Sequence, residues 1–227
     1  MKTKIMNNKD DILLNIYSRL YARYGAQGWW PGRTRFEVIV GAILTQNTAW
    51  PNVEKAIHNL KKKRLLSPAK IRNMDTAELS GIIRPSGYHN VKAGTLKNFV
   101  NFLFFRYGGS LDRLSAQRMD KLRQELLGVN GIGPETCDSI LLYAFKKPIF
   151  VVDAYTKRIF SRHGFVDEND GYGAVQDLFM GLLPRRERLY NEYHALIVRL
   201  GKECCRPKRD CGNCPLNLYR TRGSTKV

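Results

Sequence analysis

Apolar residues recur at three- and four-residue intervals along nearly the whole chain, and this period constrains the fold more than any other feature. Ile12, Ile16 and Leu20 share one face, and Phe36, Ile39, Val40, Ile43 and Leu44 share another. Val53, Ala56, Ile57 and Leu60 repeat the spacing, as do Leu96, Phe99, Val100, Leu103 and Phe104. Near the end, Val175, Leu178, Phe179 and Leu182 precede Leu189, Tyr193, Leu196, Ile197 and Leu200. The only strand-like run, Ile149 to Val152, is too short to found a sheet. An all-α fold follows, with these stripes as its core. No low-complexity linker or internal repeat interrupts them, and the last 25 residues are basic and cysteine-rich instead.

One pair of helices meets too early. In "LLGVNGIGPETCDSILLYAF", residues 126–145, a face made by Met119, Leu122 and Leu126 stops. A second face, Cys137, Ile140, Leu141 and Ala144, then begins. Gly128, Gly131 and Gly133 between them are expected to permit positive φ and close backbone approach. Pro134 suits the first turn of the second helix, where its missing N–H costs nothing. Such a hairpin exposes backbone N–H groups at a helix start, an anion site suited to phosphate. Its carbonyls are also suited to a monovalent cation. An ordinary tight corner between helices is the alternative reading.

Charge narrows the partner. Lys and Arg number 38 against 20 Asp and Glu, a formal net charge of +18. That excess favours a polyanion, usually nucleic acid. The N-terminal residues "MKTKIMNNKDD" lack an apolar signal core, and no run of 18 apolar residues exists, so no membrane span is expected. Five clustered cysteines are too few for a secreted disulfide framework, and a reducing cytoplasm fits them.

Asp153, in "PIFVVDAYTKRIF", lies 20 residues after Gly133. Alone, it reads as the N-cap of the helix starting at Ala154. Paired with the hairpin, it also reads as a catalytic carboxylate. On that pairing, residues 36–214 resemble the helix-hairpin-helix DNA glycosylases of the endonuclease III superfamily. "WWPGRTRFEVIVGAILTQNTAW" and "RPSGYHNVKA" look most like the 3-methyladenine glycosylase branch. The resemblance implies two helical domains with the active site in the cleft between them. A six-helix domain would run over 35–148, with the hairpin at about 118–145, and residues 1–34 and 149–227 would form a discontinuous second domain.

The same resemblance implies base excision repair. The enzyme would be a monomer acting on double-stranded DNA that contains a damaged base. It would flip that base out and hydrolyse its N-glycosidic bond. Asp153 would stabilise the positive charge that develops on the sugar and help activate water. Gln46 would fill the vacated position, and Tyr88 would wedge beside the opposite strand. His89, Asn90 and Lys92 would meet phosphates, as would Gly131, Gly133, Glu135 and Thr136 of the hairpin. The bland alternatives are a helix-end polar residue for Gln46 and a loop aromatic for Tyr88.

Trp29, Trp30 and Trp50 bracket one helix and suggest a base pocket of facing indoles. Indole faces attract a cationic, N3-alkylated purine such as 3-methyladenine; the alternative is that they pin the fold together. Other substrates in view are oxidised, deaminated or mismatched bases. A different class of function, a non-catalytic DNA-binding protein, has no need of Asp153.

Iron–sulfur members of the superfamily carry C-x6-C-x2-C-x5-C. Cys204, Cys211 and Cys214 match its first three places, Arg220 stands at the fourth, and Cys205 is the spare thiol. A [4Fe–4S] cluster, a zinc ion and no metal are all open. A cluster would be structural, setting Arg206, Lys208 and Arg209 against DNA. Cys137 reads as core. In bifunctional members the hairpin reads G-V-G-R-K-T, whose Lys forms a Schiff base with the sugar. Here the stretch is "GIGPET", with Glu135 in the Lys place. A carboxylate forms no imine, so a monofunctional enzyme without strong lyase activity is expected. Lys92, Lys146 and Lys147 are the other amines that could reach the sugar.

Overall fold

A computed structural model of the chain describes residues 9–208 and 210–219. Its helices in the first half are α1 (Lys9–Tyr24), α2 (Arg35–Leu44), α3 (Trp50–Lys62), α4 (Pro68–Asn73), α5 (Thr76–Ile82) and α6 (His89–Tyr107). Then come α7 (Leu111–Ser115), α8 (Met119–Leu127), α9 (Pro134–Ser139), α10 (Ala154–Arg162), α11 (Tyr172–Leu182) and α12 (Glu187–Glu203). No strand occurs among the described residues, as the apolar period requires. None of the described helices is long and apolar enough to cross a membrane.

The chain divides into two compact units, Trp30–Lys147 and Met1–Trp29 with Pro148–Val227. The first junction therefore falls between Trp29 and Trp30, ahead of the boundary expected before Arg35.

The continuous unit, Trp30–Lys147, is built on α2. Thr34 caps this helix by accepting from the Glu37 backbone N–H at 3.1 Å. Every residue from Phe36 to Leu44 is buried, so α2 is a central rod rather than an amphipathic surface helix. α3, α6 and the segment after α9 pack around it. Burying a Leu, Ile or Phe here contributes about 1.5–3 kcal/mol per side chain. The unit holds α2 to α9, eight helices where six were expected. The surplus comes from short helices such as α4 and α7, each of six residues or fewer, started by the Ser67 and Ser110 caps. Helices that short bury too few apolar residues to register as a period.

The helix expected to run on from Cys137 changes character at Ile140. Residues Ile140–Ala144 form a π-helical turn, buried on all sides, and Lys146 closes it with φ +56°. Such turns insert one residue into the ladder and occur often near functional sites.

In the discontinuous unit α1 and α10 pack on α12, and α11 packs on α1 with Phe179 reaching Tyr193 of α12. Its core is aromatic: Phe150 stacks on Phe179 at 4.0 Å, and Tyr193 donates to the Leu13 carbonyl at 2.9 Å. Ile149 to Val152 is extended, buried and unpaired with any strand. Side chains satisfy its backbone instead: Gln176 donates to the Phe150 carbonyl at 2.6 Å, and the Val152 N–H donates to the Tyr172 hydroxyl at 3.4 Å. A strand-like composition here serves a buried lead-in to Asp153.

Candidate functional site

The hairpin between α8 and α9 uses its three glycines differently from expectation. Only Gly131 has positive φ, at +93°. Gly128 and Gly133 sit at −74° and −88°, angles open to any residue. Gly131 is also the close approach: a Cβ there would lie 2.1 Å from the Thr95 hydroxyl oxygen. Gly133 is exposed, caps α9 and meets nothing within 4 Å, and Glu135 is exposed in the first turn of that helix. An ion pair with a fully buried carboxylate joins the two helices. Arg123 of α8 donates to both carboxylate oxygens of Asp138 of α9 at 2.8 and 3.1 Å.

Gln46, beyond the end of α2, is tied to this hairpin. Its amide donates to the Gly131 carbonyl at 3.0 Å and to the Thr136 hydroxyl at 2.9 Å. Thr136 is buried, so it supports Gln46 rather than meeting DNA as expected. The hairpin carbonyls suggested for a cation already accept protein hydrogen bonds. Val129 O takes the Ile132 N–H, Asn130 O takes Asn98, and Gly131 O takes Gln46.

The second turn of interest leads into α6. Tyr88 is 73% exposed and held at φ +44°, rare for a side chain that large. His89 and Asn90 follow, half-buried and exposed, and both meet the Ser80 hydroxyl, at 2.7 and 2.5 Å. Lys92 departs from expectation. It is 2% exposed, and its ammonium donates to Leu44 O, Thr48 Oγ1 and Ser86 O at 2.6–2.8 Å. Buried among protein oxygens, it does not meet a phosphate. Burial without a countercharge pulls its ammonium down to about 8.

Trp30 and Trp50 come together, but not as facing plates. Their rings meet edge-on at 90°, with centroids 5.2 Å apart, too close for a base between them. They form two walls of a cavity of about 190 Å³, whose other polar lining residues are Glu37, Glu54, His58 and Lys61. Trp30 reaches this position because Gly41 of α2 has no Cβ: one would lie 3.0 Å from the indole nitrogen. Glu37 is buried and paired with Lys61 at 2.5 Å. Trp29 falls in the other unit.

Asp153 ends the buried lead-in and caps α10. Its Oδ1 accepts from the Thr156 N–H at 2.7 Å and the Thr156 hydroxyl at 2.8 Å. Its Oδ2 lies 3.5 Å from Nε2 of His194, on α12. The carboxylate side chain is 11% exposed. Burial pushes its pKa up, but the His194 charge and hydrogen bond, with the Thr156 donors, outweigh that and hold it below the usual carboxylate value. The capping reading and the site reading thus use different oxygens of one residue.

Residues 40–185 match the model of the HhH-GPD superfamily base excision DNA repair proteins. The chain belongs to this superfamily. A Methanocaldococcus jannaschii protein named "Putative DNA repair glycosylase" is 50% identical over 93% of this chain and 97% of its own length. An endonuclease III of Sulfolobus acidocaldarius is 30% identical over 83% of each. Among solved structures, an H. pylori 3-methyladenine DNA glycosylase bound to 1,N6-ethenoadenine superposes with TM-score 0.73. It is 28% identical and covers 86% of this chain and 98% of that one. A trapped endonuclease III–DNA covalent intermediate shares the fold, with TM-score 0.80 at 24% identity, covering 95% of this chain and 96% of that one. The reaction class is that of a DNA glycosylase, and the substrate is DNA.

The cysteine loop of this superfamily member gathers Cys204, Cys205, Cys211 and Cys214 close enough to influence one another. Among the described residues no group of three or more Cys, His, Asp or Glu side chains is arranged to hold a metal ion. Cys204, Cys205 and Cys214 are buried and Cys211 is half-buried. Their sulfurs face protein groups: Arg162 donates to Cys205 at 3.3 Å, and the Tyr24 hydroxyl lies 3.8 Å from Cys204. Burial pushes the Cys214 thiol up to about 11, and the neighbouring cysteines push the same way. The thiols nonetheless lie near one another, since Cys204, Cys205 and Cys211 all act on Cys214, and these four are the residues that would hold a cluster. Arg206 and Lys208 are exposed, while Arg209 and Arg220 lie outside the described residues.

Three polar residues escaped the sequence reading: His194, Asp138 and Glu37. Each interrupts an apolar stretch of its helix, beside Tyr193, Cys137 and Phe36 respectively. A buried polar residue in such a place needs a partner, and that was the available signal.

Proposed function

We propose that the chain is a monofunctional DNA N-glycosylase that flips out a damaged base and hydrolyses its glycosidic bond with Asp153. The observation that carries this reading is the division of labour at Asp153. Thr156 holds one oxygen, while the other lies near His194 in a site that keeps the carboxyl ionised. As the C1′–N bond breaks, the base leaves with the bonding electrons. Asp153 opposes the positive charge left on the sugar. A water oxygen then bonds to C1′, and its proton passes to the carboxylate and on to solvent or the departing base. Tyr88 and Gln46 support the flipping step, one exposed and the other at the hairpin. Insertion of Gln46 exchanges its hairpin bonds for contacts in the DNA.

The monofunctional reading rests on the amines. Glu135 stands where the bifunctional hairpin carries Lys. Lys92 is buried, and Lys147 donates to the Gln117 carbonyl at 3.2 Å. The protein acts as a monomer on duplex DNA in this reading, with the hairpin and the exposed Arg206 and Lys208 on phosphates.

For the base pocket, the Trp30–Trp50 cavity is the candidate. Its indole walls and Glu54 suit an N3-alkylated purine carrying positive charge, while Glu37 is already paired with Lys61. The edge-on contact of the two indoles favours a second reading, because it rules out a two-sided aromatic clamp. A deaminated or mismatched base, recognised on one indole face and by the polar edge at Glu37 and His58, also fits that geometry.

A panel of duplexes with 3-methyladenine, uracil, a thymine mismatch or thymine glycol decides between these. Release of 3-methyladenine above the others supports the first reading, and preferential uracil or thymine release the second. Strand nicking should appear only after alkali, and borohydride should trap no covalent complex. Efficient trapping would falsify the monofunctional assignment.

A further inference from the structure

Two turns of the continuous unit carry the side chains assigned above to base flipping, and both are conformationally unusual. Asn47, next to Gln46, has φ +50°, and Tyr88 has φ +44°. Residues with side chains hold such angles only where the surroundings enforce them. The ammonium of Lys92 lies between these turns. It donates to Leu44 O at 2.8 Å and to Thr48 Oγ1 at 2.6 Å, on either side of Gln46. It also donates to Ser86 O at 2.7 Å, two residues before Tyr88. An ammonium has three protons, and each has an acceptor here.

The bonding continues outward from this centre. The Thr48 hydroxyl lies 2.5 Å from Ser86 O and 3.2 Å from Gln46 O, so it touches both turns. The Lys92 backbone N–H donates to Tyr88 O at 3.0 Å. A methionine would fill a similar volume without desolvating a charge. Packing alone therefore gives no reason for a cation at this position. Bridging two strained turns does, because three directional bonds from one atom fix the distance between their backbones.

We infer that Lys92 is a positioning residue that locks the Gln46 turn to the Tyr88 turn, setting the spacing at which the two side chains enter DNA. This rests on the flipping roles proposed above for Gln46 and Tyr88. Its ammonium meets only neutral oxygens, in line with a pKa drawn down to about 8. Lys92 touches no reacting atom; it acts through the two turns. Loss of the lock should therefore harm recognition of a vacated base position and leave the sequence-independent, charge-driven grip on duplex DNA intact.

The experiment measures binding to a duplex with a tetrahydrofuran abasic-site analogue and to its undamaged counterpart. It compares the wild type, Lys92→Met, Tyr88→Ala and the double variant, with hydrogen exchange of residues 44–48 and 84–90. Lys92→Met should lose about 10-fold in abasic-site preference, the scale of one lost stacking contact, with undamaged-duplex affinity unchanged. That loss should largely disappear in the Tyr88→Ala background, and exchange should quicken in both turns together. Unchanged preference, or equal losses on both duplexes, overturns the inference. If Lys92→Met does not fold, Thr48→Ala takes its place: a smaller loss of preference supports the lock, and full preference overturns it. If the wild type itself shows no preference, the flipping roles fail. Hydrogen exchange then decides the lock alone: coupled loosening of both turns supports it, and unaltered exchange overturns it.

Discussion

Asp153 and Lys92 are both charged groups taken out of water, and they are treated in opposite ways. Around Asp153 stand two donors from Thr156 and the imidazole of His194, and the carboxyl pKa ends below its usual value despite burial. Around Lys92 stand three neutral oxygens, and the ammonium pKa falls to about 8. Burial disfavours charge in both places. The acid has charged and protic partners that restore it, and the base does not. A carboxylate needed as a charge at neutral pH calls for such partners. A cation needed only as three directed bonds does not.

A third buried charge tests whether the partner decides the outcome. Asp138 is fully buried and has the formal countercharge that Lys92 lacks, supplied by Arg123. Arg123→Ala removes a two-bond ion pair from a fully buried carboxylate between the hairpin helices, and should destabilise the protein by about 3–5 kcal/mol in denaturant unfolding. A loss below about 1 kcal/mol would break the comparison, since the partner would then hardly matter.

Asp153→Asn separates charge from shape. Asparagine caps a helix as well as aspartate does, so at neutral pH only the charge-dependent part of the stability should be lost. Base release should fall by about 10²–10³-fold, the scale of losing one well-placed electrostatic group. The wild-type carboxyl has a depressed folded pKa. Its stabilisation is therefore complete above the unfolded value of about 3.9 and is lost as pH falls through the folded one. The difference in stability between wild type and Asp153→Asn should shrink only in that acid range. Single-turnover base release and melting curves across pH measure both.

The smallest effect concerns Lys92 in alkali. Its folded pKa, about 8, lies below the unfolded value of 10.5, so the unfolded chain binds more protons between them. Stability conferred at this site should therefore rise as pH climbs from about 8 to 10.5, by on the order of 1–3 kcal/mol. Lys92→Met, which does not titrate, should lack that rise. Parallel pH profiles for the two proteins would mean that Lys92 keeps an ordinary pKa, and the contrast with Asp153 would narrow.

Apolar spacing and the glycine-proline break were enough to read helices, the hairpin and Asp153 in the chain. Both are local signals: a helix writes its buried face into positions three and four apart, and a hairpin writes its turn into Gly and Pro. The short helices α4 and α7 fall below what that period can report. Gly131 could not be told from Gly128 and Gly133, because only the approach of Thr95 makes its φ and its missing side chain necessary.

What the tertiary structure alone decided is which polar groups meet. Lys92 looked like a phosphate contact, since a lysine beside an exposed tyrosine is usually solvated. Only the packing of α6 on α2 turned it inward to Leu44, Thr48 and Ser86. The tryptophans could be counted but not oriented, and their edge-on contact depends on the gap at Gly41. Cys204, Cys211 and Cys214 matched a spacing, whereas the partners of the Cys204 and Cys205 sulfurs, Tyr24 and Arg162, come from distant helices. His194 lies 41 residues from Asp153, a pairing made by α12 crossing α10. Periodicity along a chain records which face a residue takes; it does not record what waits on the other side.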